Sequence, residues 1–145
     1  MFNKQKIARK KTVLFIDDDE ATLHSLERGL LDESYNKLFV KSAKEALEAL
    51  KRKKVHVIVT DMRMPEMTGL ELLRIARKEY PNIIGIVLTG YALDTELQNA
   101  VRQGEIFKLI PKPLWKLGGK FERLVRQALV SPDLQNKREK VKQMN

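Results

Sequence analysis

Asp17 and Asp18 open a run of four acids, DDDE over 17–20, directly after an apolar stretch. Asp61 follows the apolar run 55–60, Thr89 follows 83–88, and Lys112 sits between two prolines just after 106–110. Three carboxylates brought together repel one another and raise at least one pKa unless a cation neutralises them. A hard divalent ion suits that set, and magnesium takes one or two carboxylates together with waters and phosphate oxygens. An ammonium and a hydroxyl beside such a group stabilise charge on phosphoryl oxygens, which is what phosphoryl transfer requires. Asp61 is the best nucleophile because it stands alone at the end of its run, whereas Asp17 and Asp18 act as a pair. Acids also favour a helix N-terminus. That accounts for Asp19 or Glu20 as cap and first-turn residues, but not for Asp17 and Asp18 abutting a strand end.

The elements that must position these side chains alternate strictly. Strands are predicted at 12–16, 38–41, 55–60, 83–88 and 106–110, each short and rich in Val, Ile or Leu. Such runs suit strands buried on both faces of a parallel sheet. Helices are predicted at 20–31, from the Ser42/Glu45 capping pattern through Leu50, at 69–80 stopped by Pro81, from Asp94 to Gly104, and at 114–129. Gly118 and Gly119 weaken the first turn of the last helix. The expected architecture is α/β: five parallel strands with five helices on both faces. With strand order 2-1-3-4-5, the ends that deliver Asp17, Asp18, Asp61, Thr89 and Lys112 converge on one crevice.

Length and composition fit one domain with a fair-sized core. There is no cysteine, hence no disulfide framework or thiol chemistry, in keeping with a cytoplasmic location. No apolar run approaches the length of a membrane span, and the basic N-terminus lacks the apolar core of a secretory signal. The net charge of +9 lies mostly at the ends: residues 1–11 carry +5, residues 131–145 carry +2, and the 119 residues between them +2. These ends read as a solvated basic arm (1–11) and a basic tail or linker (131–145) flanking a domain over 12–130. Nucleic-acid binding is not expected, since every helix is assigned to the sheet and none is left for a helix-turn-helix.

The stretches VLFIDDDE (13–20), VIVTDMRMPEMTG (57–69), VLTGYA (87–92) and the Lys112-Pro113 pair resemble, in that order, the receiver domain of two-component response regulators. The resemblance implies a flavodoxin-like doubly wound fold. It implies that Asp61 accepts a phosphoryl group from a phosphohistidine on a sensor histidine kinase, in a Mg²⁺-dependent reaction. Asp17, Asp18, Asp61 and the backbone carbonyl of Arg63 would hold the Mg²⁺. Thr89 and Lys112 would contact the phosphoryl oxygens, with a cis peptide between Lys112 and Pro113. Such a domain is a phosphoacceptor that assists its own phosphorylation and dephosphorylation, not a turnover enzyme. It signals to an output domain or partner through the face formed by the fourth helix, fifth strand and fifth helix, where receivers also pair as homodimers. The segment QGEIFKLIPKP further resembles receivers linked to cyclic-dinucleotide phosphodiesterase domains or found in hybrid sensor proteins.

Three features depart from, or refine, that pattern. Leu109 stands where receivers usually carry a switching aromatic; Phe107, two residues earlier, is expected on the same side of the strand. Arg63 and Tyr91 are bulky and flank the route of an attacking water, which predicts slow autodephosphorylation. Trp115 reads as a packing residue at a helix start. The main rival is a haloacid-dehalogenase-like phosphatase using Asp17. Asp17-X-Asp19 fits its motif, but Ala21 stands where Thr or Val is wanted, and Asp61 is left unexplained. A binding module without phosphorylation is the other alternative.

Overall fold

The computed structural model describes residues 8–131. The strands are β1 (Thr12–Ile16), β2 (Asn36–Val40), β3 (Val57–Asp61), β4 (Ile84–Thr89) and β5 (Lys108–Pro111). The helices are α1 (Glu20–Gly29), α2 (Ala43–Arg52), α3 (Gly69–Glu79), α4 (Thr95–Arg102) and α5 (120–131), with a 3₁₀ turn at Leu114–Leu117. All strand pairs are parallel, in the order β2-β1-β3-β4-β5. This is the flavodoxin-like architecture expected from the alternation.

Alternation along each strand divides the core into two layers. Leu14, Ile16, Ile58 and Val87 point toward α2, α3 and α4. Val13, Phe15, Val57, Val59, Ile86 and Leu88 point toward α1 and α5. Both faces are covered, which is why the strands read as continuous apolar runs. Phe15 is fully buried and stacks on Phe39 of β2 with ring centroids 5.0 Å apart. Burying a side chain of this size contributes about 1.5–3 kcal/mol.

The helices begin where polar side chains satisfy free N–H groups. Asp19, Ser42, Thr68 and Asp94 accept from the N–H groups of Ala21, Glu45, Glu71 and Leu97 respectively. Each such cap is worth about 1 kcal/mol. Glu45 Oε2 also accepts at 2.8 Å from the N–H of Lys41, the residue before the cap, so Ser42 and Glu45 together hold the start of α2.

Several boundaries differ from expectation. The ladder between β1 and β3 begins at Val13 and Val57, and β3 extends through Asp61, which pairs with Leu88. β2 and β5 are likewise shifted by the register of their neighbours. The predicted helix 114–129 is divided: Gly118 and Gly119 adopt φ of 49° and 81°, left-handed values that end the 3₁₀ turn before α5 starts. Finally, Ala8 is buried against the α1–α5 layer and Lys11 Nζ donates to the Leu129 carbonyl at 2.8 Å. The last residues of the basic arm therefore pack on the fold. Residues 1–7, the tail 132–145 and the side chain of Trp115 lie outside what the structure describes.

Candidate functional site

Four strand ends build the site. The Asp17 N–H donates to the Val40 carbonyl at 3.2 Å, which continues the β1–β2 ladder by one residue. Asp61 is the last residue of β3. Its neighbour Met62 donates to the Leu88 carbonyl at 2.9 Å, and Lys112 N–H donates to the Thr89 carbonyl at 2.9 Å. The sheet's own hydrogen bonds thus fix the backbone on both sides of the acids and the lysine.

The side chains meet in the crevice. Lys112 Nζ lies 2.8 Å from Asp61 Oδ1 and 3.8 Å from Asp17 Oδ2. Carboxylate oxygens of Asp17, Asp18 and Asp61 all fall within 4.8 Å of one another. Asp17 is only 3 % exposed. Its Oδ1 accepts from the Asp19 N–H at 2.9 Å, while its Oδ2 is buried with no hydrogen-bond partner among the described residues. Burial pushes the Asp17 carboxyl above the usual carboxylate range, and the charges of Asp61 and Asp18 add to that; the Asp19 N–H and Lys112 act against it. A buried, unpartnered carboxylate oxygen in a set of three hard oxygen donors fits a small divalent cation.

Asp19 and Glu20, the other members of the acidic run, are engaged elsewhere. Asp19 caps α1 and accepts from the Thr22 hydroxyl at 2.8 Å. Glu20 pairs with Lys41 at 2.9 Å on the surface. This matches the division of the acids expected from their positions.

The chain matches the response regulator receiver domain over residues 13–117. It belongs to that family. It is 38 % identical over 127 residues to the hydrogenase transcriptional regulatory protein HoxA of Cupriavidus necator, covering 88 % of this chain and 26 % of HoxA. It is 36 % identical over 104 residues to the sensor kinase CckA of Brucella abortus, covering 70 % of this chain and 11 % of CckA. The chain therefore spans about a quarter or less of these curated relatives. Among solved structures, it is similar to the signal receiver domain of an HD domain-containing protein from Pseudomonas fluorescens Pf-5, with a TM-score of 0.74 and 30 % identity, covering 83 % of this chain and 94 % of that one.

Other parts of this receiver bear on the same crevice. Thr89 is 6 % exposed, and its hydroxyl accepts from the Tyr91 N–H at 3.1 Å. The Lys112-Pro113 peptide is cis, as the resemblance implied. Tyr91, two residues after Thr89, is 63 % exposed, and Arg63 is exposed in the loop after Asp61. Leu109 packs in the α2–α4 layer. Phe107 packs in the opposite layer, with α1 and α5, contrary to the expectation that both point the same way. The alternation of β5, which runs from Lys108, is broken at Phe107 even though the Phe107 N–H donates to the Gly85 carbonyl of β4 at 2.8 Å.

Two residues of the 57–69 stretch lie behind the site without a site role of their own in the sequence. Thr60 is fully buried, and its hydroxyl donates to the Asp61 carbonyl at 2.9 Å. Gly69 closes the loop, donating to the Met62 carbonyl at 2.8 Å. A Cβ at position 69 would lie 2.5 Å from the Asp61 carbonyl oxygen and 2.8 Å from Thr60 Cγ2. Only glycine lets the start of α3 approach the backbone of Asp61 so closely. Its turn-forming type was legible in the sequence; the close approach was not.

Proposed function

We propose that Asp61 is the phosphoacceptor of this receiver and takes its phosphoryl group from a phosphohistidine of a sensor histidine kinase. A carboxylate oxygen of Asp61 attacks phosphorus, the P–N bond breaks, and its electron pair leaves with the imidazole, which is protonated from solvent. Asp17, Asp18, Asp61 and the Arg63 carbonyl would hold Mg²⁺. When bound, Mg²⁺ supplies charge neutralisation to the acids and to the phosphoryl oxygens. Lys112 follows the transferred group as a cationic partner, and the Thr89 hydroxyl turns from the Tyr91 N–H to donate to a phosphoryl oxygen. The observation that carries this reading is the 2.8 Å contact of Lys112 Nζ with Asp61 beside the buried, unpartnered Asp17 Oδ2.

The unit that does this spans 12–130, with 131–145 as tail or linker. It acts in the cytoplasm and signals through α4, β5 and α5, the face that would also pair in a homodimer. The names of its relatives point to differing outputs: a transcriptional regulator, a sensor kinase and an HD domain-containing protein. Leu109 in place of an aromatic makes the coupling to that face depend on a residue other than Phe107.

The test is intact mass after incubation with Mg²⁺ and acetyl phosphate. One added phosphoryl group is expected in the wild type and none in Asp61→Asn or with EDTA. Addition that survives in Asp61→Asn and vanishes in Asp17→Asn would instead support the phosphatase-like reading.

A further inference from the structure

Three of the five methionines stand at 62, 64 and 67, in the loop directly after Asp61, and the chain has no cysteine. Peroxide-type oxidants act on sulfur, and methionine sulfoxide is a common product. Here the reactive sulfur is gathered beside the acidic crevice. Met62, Met64 and Met67 are half-buried and pack against the α2–α4 layer.

The three differ in what their sulfur touches. Met64 Sδ lies 3.8 Å from Thr60 Oγ1, the hydroxyl that donates to the Asp61 carbonyl at 2.9 Å. Neither Met62 nor Met67 has such a contact at sulfur among the described residues. Thr60 is fully buried, so its hydroxyl is out of reach of bulk water. A hydroxyl has one proton to donate, and a thioether is a weak acceptor. The proton therefore stays on the Asp61 carbonyl while Met64 is reduced.

We propose that Met64 is a reversible oxidation site whose sulfoxide loosens the backbone of Asp61. A sulfur lone pair attacks one oxygen of hydrogen peroxide, and the O–O bond breaks. The proton on the attacked oxygen passes to the leaving hydroxide, which departs as water. Sulfur loses two electrons and peroxide gains them. The new oxygen is a strong acceptor on a sulfur already 3.8 Å from Thr60 Oγ1, so it competes with the Asp61 carbonyl for the single proton. It also places a polar group in the apolar α2–α4 layer. Both effects act on the end of β3 and on the loop that Gly69 closes by donating to the Met62 carbonyl. Methionine sulfoxide reductases restore the thioether. The consequence for phosphoryl uptake rests on Asp61 being the phosphoacceptor; the loosening itself does not.

In the experiment the full chain is treated with hydrogen peroxide, and peptide mass spectrometry locates the added oxygen. Amide hydrogen exchange over 61–69 is then compared in wild type, Met64→Leu and Met67→Leu. Oxidised wild type and Met67→Leu are expected to exchange about threefold to tenfold faster than their untreated forms, the scale of one lost hydrogen bond. Met64→Leu conserves volume and is expected to stay within about twofold. If Met64→Leu fails to fold, Thr60→Val removes the contested hydroxyl instead, and its oxidation should change exchange by less than about twofold. Phosphoryl uptake from acetyl phosphate with Mg²⁺ should slow on oxidation of the wild type and recover after treatment with the reductase. The proposal is overturned if Met64 takes up no oxygen, if its oxidation leaves exchange unchanged, or if Met64→Leu responds as wild type does. Absence of uptake in the untreated protein would instead count against the phosphoacceptor reading, and the exchange comparison would still decide the oxidation site.

Discussion

At the carboxyl ends of the strands, Asp17, Asp18 and Asp61 crowd around Lys112; at the amino ends of the same strands, Lys11, Lys51, Arg52, Lys53 and Lys54 rim an open groove. Both ends concentrate like charge, but at very different depth. Asp17 is almost wholly buried and one of its oxygens makes no hydrogen bond, with only Lys112 Nζ near it at 3.8 Å, so its charge is costly. Lys51, Arg52, Lys53 and Lys54 stand in water, where their mutual repulsion is small and screened by salt. Depth decides what the charge is for. A carboxylate buried at the end of the sheet ladder is held at a fixed position; exposed cations on flexible stems are not.

The contrast breaks first, if it breaks, at the lysines. Lys112→Ala removes the cation nearest Asp61 and is expected to slow phosphoryl uptake about 100-fold, the scale of losing one electrostatic contact in a transition state. Lys51→Ala should leave that rate within about twofold. Comparable losses in the two variants, read by mass spectrometry over time with acetyl phosphate, would erase the distinction between the ends.

Glycine substitutions test whether the rigidity of the acidic end is local. Gly69→Ala forces a methyl against the Asp61 carbonyl and Thr60. It should cost about 1–3 kcal/mol in chemical denaturation, the usual penalty of overpacking. Gly90, in the loop after Thr89, has open space around its Cβ position, so Gly90→Ala should stay within about 0.5 kcal/mol.

Asp17 gives the test with the opposite sign. Its carboxyl is raised by burial, so the folded state holds a proton more tightly than the unfolded chain does. In the metal-free protein, the contribution of Asp17 to stability is therefore fully present below the ordinary carboxylate pKa and is lost as pH rises through the raised value. Asp17→Asn removes that fall. At neutral pH in EDTA it should gain about 1–3 kcal/mol, the cost of a buried unsatisfied group, seen as a melting temperature a few degrees higher. A variant no more stable than wild type would show that Lys112 already compensates the buried charge.

The smallest effect is kinetic. Tyr91→Ala and Arg63→Ala clear the mouth of the crevice and should each speed loss of the phosphoryl group by a few-fold, measured as decay of phosphorylated protein after removing the donor. If neither variant decays faster, these side chains do not exclude the attacking water.

Strict alternation of apolar runs with helical patterns determined the parallel sheet, because buried strands need little but β-branched and aliphatic residues. The carboxylates at the ends of those runs marked the crevice for the same reason: a sheet of this order brings its carboxyl ends together wherever they stand in sequence. The N-caps Asp19, Ser42 and Asp94 were legible because capping depends on residues only two or three positions away. Tertiary structure alone decided the rest. Asp61 joined β3 because its backbone found Leu88 of β4 across the sheet. Phe107 lies in the opposite layer from Leu109 even though its N–H still bonds to the Gly85 carbonyl of β4. Gly69 had to be glycine because α3 begins against the Asp61 carbonyl. The KRKK run at 51–54 suits the cationic end of α2, where the helix dipole favours it, from sequence alone. It became a groove only when Tyr80, Pro81 and Leu129, distant in the chain, were packed beside it.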